Sequence, residues 1–189
     1  MIGLILIVFA ESGILAGFFL PGDSLLFTAG LLASQGVLDL PVIVVGCFVA
    51  AVAGDQVGYI FGHRVGPSLF KRPNSRLFNQ RNVERARAYF EAHGPKTVVL
   101  ARFIPVVRTF TPVVAGVGAM DRRTFTIYNL VGALLWAVGL TLLGYVLGSE
   151  IPEIDRYLLP AVGVIVAVSF IPVLRELWKI RTGRRSPVD

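Results

Sequence analysis

The sequence predicts an all-α polytopic membrane protein: an inverted repeat of two re-entrant helical hairpins, each followed by a transmembrane helix, plus a C-terminal transmembrane helix. Three observations predict it. Hydrophobic residues fill 54% of the 189 positions and charged residues 16%, with a mean hydropathy of +0.71, far from the balance of a water-soluble domain. Two apolar stretches are interrupted by helix breakers and carry charges, which a straight span would not. The basic residues collect between the apolar stretches, the asymmetry that orients membrane proteins. The whole chain, 1–189, reads as a single integral domain: repeat one over 1–62, a basic cytoplasmic linker over 63–96, repeat two over 97–148, and a final transmembrane helix with a basic tail over 156–189.

In chain order, residues 1 to 20 form one apolar half, "PGD" at 21 to 23 breaks it, and residues 24 to 33 form a second half. Ten residues at ~1.5 Å each reach about halfway across ~30 Å of hydrocarbon, so a hairpin that enters and leaves on one face is expected. The loop "SQGVLD" carries no Lys or Arg, and "LPVIVVGCFVAAVAGDQVGYIFG", residues 40 to 62, is long enough to cross. Residues 63 to 96 hold eight cations from Arg64 to Lys96, and within them "NVERARAYFEAHG" has the pattern of an amphipathic helix ended by Gly94-Pro95. The stretch "TVVLARFIPVVRTFTPVVAGVGAM", 97 to 120, is apolar but broken by Pro105 and Pro112, which favours a second hairpin. After "DRRT", residues 125 to 148 make a full crossing. The acidic loop "SEIPEID", a crossing over 158 to 174 and the basic tail "RELWKIRTGRR" complete the chain.

The two halves repeat each other. "FLP" at 19 to 21 precedes "GYIFG" at 58 to 62, and "FIP" at 103 to 105 precedes "GYVLG" at 144 to 148, with 37 and 39 residues from the proline to the first glycine. The first crossing ends at a basic segment and the second at an acidic loop, so the repeats run in opposite directions. With "SQGVLD" and "SEIPEID" outside, and residues 63 to 96, "DRRT" and the tail inside, every loop obeys the positive-inside rule. Inverted repeats with broken helices meeting near the midplane are an architecture of secondary transporters.

Several function classes fall away. The hydrophobicity continues past Glu11 without a small-residue cleavage site, so "MIGLILIVFA" is expected to stay on the chain. Cys47 is the one cysteine and is expected to be a small core residue; with two histidines, no Cys/His metal site of the usual spacing exists, and no metal or cofactor is called for. The net charge of +6 lies beside the spans, which fits a cytoplasmic face against anionic lipid rather than nucleic acid. A lipid phosphatase would want a positioned histidine or a metal, and neither His63, at a helix end, nor His93, before a break, is well placed, so the chain reads as a non-enzyme.

The charges inside the apolar stretches carry the chemistry. A charged side chain at the bilayer centre costs about 2.5–3.5 kcal/mol, so Glu11, Asp23, Arg102 and Arg108 together represent on the order of 10 kcal/mol before pairing. Placing them at the facing tips of two hairpins offsets that cost. Guanidinium groups stay charged and grip phosphate through paired hydrogen bonds, which assigns Arg102 and Arg108 to a phosphate-bearing ligand. Glu11 and Asp23 suit proton or cation coupling. Asp55 is a secondary candidate, able to pair with Arg64 or an arginine of the second hairpin, structural use being the simpler reading. The glycines of "GDQVGYIFGHRVG" suit close helix approach, and Trp136, Trp178 and the tyrosines read as packing residues or interface anchors.

Through "FAESG…FFLPGDSLLFTAG", "GDQVGYIFGHRVG", "ARFIPVVRTFTPVVAGVGAM" and "NLVGALLWA", spread over nearly the whole chain, the sequence resembles the bacterial DedA integral membrane proteins, relatives of the eukaryotic VTT-domain lipid scramblases. The resemblance implies two facing re-entrant hairpins, location in the bacterial cytoplasmic (inner) membrane as a multi-pass protein with a cytoplasmic C-terminus, and transport of a lipid phosphate. Undecaprenyl phosphate is the leading substrate. Phosphatidylethanolamine-type scrambling and small-ion or proton exchange are the alternatives. The family's acidic pair falls on Glu11 and Asp23 and its arginine pair on Arg102 and Arg108. Relatives commonly carry a further stretch before the glutamate, whereas ten residues precede Glu11 here. Expected partners are the lipid substrate and membrane lipids, with room for a homo-oligomer.

Overall fold

The computed structural model describes residues 1–13, 22–69 and 88–150. The expected break at Pro21, most of the basic linker, the predicted crossing over 158–174 and the tail lie outside those residues. Among the described residues all regular structure is helical: α1 (Ile2–Gly13), α2 (Gly22–Ser34), α3 (Leu40–Leu69), α4 over 88–93, α5 (Lys96–Ala101), α6 (Pro105–Val117), α7 (Arg122–Ala133), a π-helical stretch (Leu134–Val138) and α8 (Gly139–Glu150).

Two rods are long and apolar enough to cross a membrane, Leu40–Val65 with 26 residues and Arg122–Glu150 with 29. At ~1.5 Å per residue they measure about 39 and 44 Å, more than ~30 Å of hydrocarbon. The second rod joins α7, the π-helical stretch and α8 end to end. By contrast α6, of 13 residues, reaches only about 20 Å, and the described parts of α1 and α2 are 12 and 13 residues long.

Two boundaries differ from expectation. The first rod continues past Gly62 to Leu69; no proline stands between Gly62 and Pro67, and Arg64 suits the headgroup region of a helix end. The second apolar stretch is interrupted at Arg102–Ile104, as expected at Pro105, but not at Pro112, which α6 passes on its way to Val117. Pro105 occupies the start of α6, where a missing N–H leaves nothing unpaired. Pro112 removes one backbone bond inside α6, and its ring is fully buried. The expected amphipathic helix is helical over its described part and ends at Gly94, whose φ of +72° suits glycine.

The two rods run antiparallel. Gln56 Nε2 donates to Thr126 Oγ1 at 3.0 Å and Asn129 Nδ2 to the Val52 carbonyl at 3.3 Å, and Cys47, Ala50 and Ala51 share a core with Ala133, Trp136 and Ala137. The shorter helices attach through glycines. α1 follows α3 in the same sense, with Ile5 against Gly46 and Gly13 against Gly54. α2 follows α8, with Gly30 against Thr141 and Ser34 against Gly148. α6 follows α3, with Pro112 against Gly58 and Gly116 against Tyr59 and His63. It follows that α1 and α2 run in opposite senses. Backbone meets backbone at these crossings: a Cβ at Gly62 would fall 2.1 Å from the Val113 carbonyl oxygen, and one at Gly144 2.1 Å from that of Phe27. The expectation of close approach along "GDQVGYIFGHRVG" is met.

The rod ends differ in charge. Gln35 Nε2 donates to the Gly148 carbonyl, so the α2–α3 turn and the end of α8 share one end of the molecule; the described residues 34–39 and 148–150 hold no Lys or Arg. Arg64, Arg122 and Arg123 lie at the other end. There Asp121 caps α7, accepting from the Thr124 N–H at 2.9 Å and the Thr124 hydroxyl at 3.0 Å. Those bonds hold the Asp121 carboxyl below the ordinary aspartate range.

Candidate functional site

Where the short helices end against the rods, charged side chains converge. Glu11 lies in the last turn of α1, 1% exposed. Asp23 lies in the first turn of α2, where a carboxylate suits the positive end of the helix dipole. Arg108 reaches both from α6: its Nη1 donates to Asp23 Oδ1 at 2.5 Å, and its Nη2 donates to Glu11 Oε1. One planar fork thus holds two carboxylates from two helices. Gly22 makes the approach possible, since a Cβ there would fall 1.5 Å from Glu11 Oε2.

Arg102 heads a second group. It sits in the non-helical step between α5 and α6, and its Nη2 donates to Asp55 Oδ2 of α3 and to Asn129 Oδ1 of α7, the latter at 2.5 Å. Asn129 is held in turn by its bond to the Val52 carbonyl. The whole group is sealed: Asp55, Arg102 and Asn129 are 5%, 4% and 0% exposed. Gly132 leaves room for the arginine stem, because a Cβ there would lie 2.8 Å from Arg102 Cδ.

Trp136, in the π-helical stretch, ties the two groups together. Its ring lies 4.6 Å from Arg108 Cζ and 5.9 Å from Arg102 Cζ, within cation–π range of both. Its indole N–H donates to the same Asp23 Oδ1 that accepts from Arg108, at 2.6 Å. The reading of this tryptophan as packing or an interface anchor is therefore incomplete: it is 2% exposed and polar-bonded to the site.

All five charged residues singled out from the sequence lie in these two groups. The expectation that both arginines face Glu11 and Asp23 needs correcting: Arg108 does, whereas Arg102 pairs with Asp55, because Asp55 stands on α3 beside the α5–α6 step. Asn129 and Trp136 were missed as site residues, although both stand in "NLVGALLWA", a motif noted for its pattern rather than its chemistry. A buried asparagine and a buried tryptophan both need a hydrogen-bond partner, and that need was the available signal.

The electrostatics leave openings. Three carboxylates face two guanidinium groups, so the fully ionised cluster carries one excess negative charge, which a proton or a monovalent cation would balance. The Nε atoms of Arg102 and Arg108 are buried with no hydrogen-bond partner among the described residues. Asp23 is the open member, with 41% of its side chain exposed, against 8% for Arg108 and 1% for Glu11.

Comparison with known proteins adds the family. Residues 20–146 match the VTT domain family. The chain is 48% identical over 177 residues to Protein DedA of Escherichia coli (strain K12), covering 92% of this chain and 80% of that protein. It is 45% identical over 174 residues to the uncharacterized membrane protein ML0287 of Mycobacterium leprae (strain TN), covering 92% and 78%. It is 34% identical over 191 residues to the inner membrane protein YqjA of Escherichia coli (strain K12), covering 96% and 86%. No solved structure matches it.

Proposed function

The chain belongs to the DedA family of VTT-domain membrane proteins, and from that premise we propose that it carries a lipid phosphate across the membrane, without making or breaking a covalent bond. Undecaprenyl or another polyprenyl phosphate is the substrate, in the bacterial inner membrane, with the C-terminus cytoplasmic. One observation carries the reading: a buried arginine fork occupied by two carboxylates, one of which, Asp23, is only partly buried. A phosphate monoester presents oxygens to the same donors that the carboxylates now hold.

Exchange follows from charge balance. A phosphate that takes Arg108 leaves Glu11 buried without its partner, and a buried carboxylate in that position is neutralised by a proton or paired with a cation. Phosphate entry is thereby linked to uptake of a positive charge, which is the coupled step. Arg102, sealed between Asp55 and Asn129, supplies a second fixed positive charge beside it, whose field favours the phosphate without a direct bond. The polyprenyl tail stays in lipid throughout.

The short helices support a re-entrant, inverted arrangement. α6 is too short to cross, and the described parts of α1 and α6 run with one rod while that of α2 runs with the other, antiparallel one. Rocking of such hairpins against the rods exposes a midplane site to one face and then the other.

Purified protein in vesicles carrying a polyprenyl phosphate in one leaflet tests this. Wild type is expected to equalise the leaflets, faster with a pH gradient; Arg108→Ala and Arg102→Ala are expected to fall to the protein-free rate. Unchanged flux in both variants would overturn the reading. Wild-type flux that ignores the gradient would convert it to passive scrambling, and block by free phosphate without lipid movement would convert it to ion exchange.

A further inference from the structure

We infer that Trp136 is a positioning residue of the phosphate site, holding Asp23 and Arg108 in register so that the fork can pass between carboxylate and phosphate; this rests on the phosphate reading above. Asp23 Oδ1 accepts two hydrogen bonds, from Arg108 Nη1 at 2.5 Å and from the indole N–H at 2.6 Å. When the guanidinium leaves for a ligand, the second bond remains. Asp23 then stays beside the site rather than swinging toward the exterior to which 41% of it is open. The ring face 4.6 Å from Arg108 Cζ meanwhile holds the cation within cation–π range, so the guanidinium stays beside the site as it changes partner.

Packing alone does not account for this placement. A core position requires an apolar ring of the right size, not an N–H aimed at a carboxylate. Trp136 is also the middle residue of the π-helical stretch Leu134–Val138. Such insertions recur at functional sites because the extra residue in the turn re-aims the side chains around it. Four residues back, Gly132 admits the Arg102 stem, and seven back, Asn129 holds its guanidinium. One stretch of the second rod therefore contacts both arginines.

The chain has two tryptophans, Trp136 and Trp178, so Trp178→Phe leaves Trp136 as the sole indole emitter. The test titrates this full-length protein in detergent with dodecyl phosphate and follows emission, beside affinity measured calorimetrically for Trp136→Phe and Trp136→Leu. Emission is expected to change saturably, and not at all with Arg108→Ala present. Trp136→Phe, which keeps an aromatic face and loses the N–H to Asp23, is expected to bind about 3- to 10-fold more weakly than wild type, and Trp136→Leu, which loses both, about 10- to 100-fold more weakly. Silent Trp136 emission during measurable binding, or equal affinity of the leucine variant and wild type, overturns the inference while leaving the phosphate reading intact. The emission arm requires no change at Trp136, so a poorly folded leucine variant does not remove the test. Absence of dodecyl phosphate binding by wild type overturns the phosphate reading itself, and with it this inference.

Discussion

Arg108 is held by two carboxylates while Arg102 is held by one carboxylate and an amide, and the two arginines accordingly respond differently to substitution. Arg108→Lys keeps the charge and loses the planar fork, so it cannot hold two oxygens in fixed geometry. Dodecyl phosphate affinity is expected to fall by roughly 10- to 100-fold, in line with losing one charge-assisted hydrogen bond, while thermal stability changes little. Asp55→Asn instead leaves a sealed guanidinium with no counter-charge, which costs about 3–5 kcal/mol in comparable buried pairs. Its signature is a fall in the melting temperature in detergent, with Arg102→Gln added in the double variant expected to recover part of the loss. Gly22→Ala places a methyl where Glu11 Oε2 now lies, so Glu11 has to turn away from Arg108; flux is expected to drop as it does in Glu11→Ala. A Gly22→Ala protein with wild-type flux would show that this carboxylate pairing is dispensable.

At the level of elements, short helices ride on long ones through glycine contacts too close for a side chain. Gly62→Leu forces a Cβ to within 2.1 Å of the Val113 carbonyl oxygen, and α3 and α6 have to separate. Because α6 carries Arg108, loss of flux is expected to accompany a lowered melting temperature. The Asp121 cap behaves as a depressed carboxylate: its contribution is present above the ordinary aspartate range and is lost as the pH falls through its lowered native value. Amide exchange at Thr124 is expected to accelerate on that acid side, and to be fast at all pH values in Asp121→Ala. The elements also show how far sequence reading carried. The rods were legible because long uninterrupted apolar runs admit few alternatives, and the charged residues were legible because hydrocarbon makes each one conspicuous. The break at Pro105 was legible, whereas the one expected at Pro112 is absent because proline both starts and interrupts helices, and packing decides which. That Asp55 can pair with an arginine of the second hairpin was legible; which of the two it takes was not, since no local pattern tells which helix faces which. Trp136 was underread because an indole is apolar in composition and polar at one atom.

At the scale of the whole molecule, the two ends are told apart by charge. The end with Gln35 and Gly148 lacks cations among its described residues, and the end with Arg64, Arg122 and Arg123 is basic. In a Cys47→Ala background, Val37→Cys is expected to react with an impermeant maleimide added outside spheroplasts, and Arg123→Cys only after the membrane is opened. Labelling of both from the same side would contradict the proposed orientation. Between those ends, the described parts of α1, α2 and α6 bring Glu11, Asp23 and Arg108 together beside the two long rods. That geometry gives a mobile charge exchange rather than a static ion pair its physical basis, because each short helix can shift without unravelling a crossing. The most direct test is calorimetric titration of dodecyl phosphate in two buffers that differ in ionisation enthalpy, which counts the protons accompanying each binding event. Wild type is expected to take up about one proton more per phosphate bound than Glu11→Gln. Equal proton counts in the two proteins, with phosphate bound in both, would show that Glu11 does not yield Arg108 to the ligand.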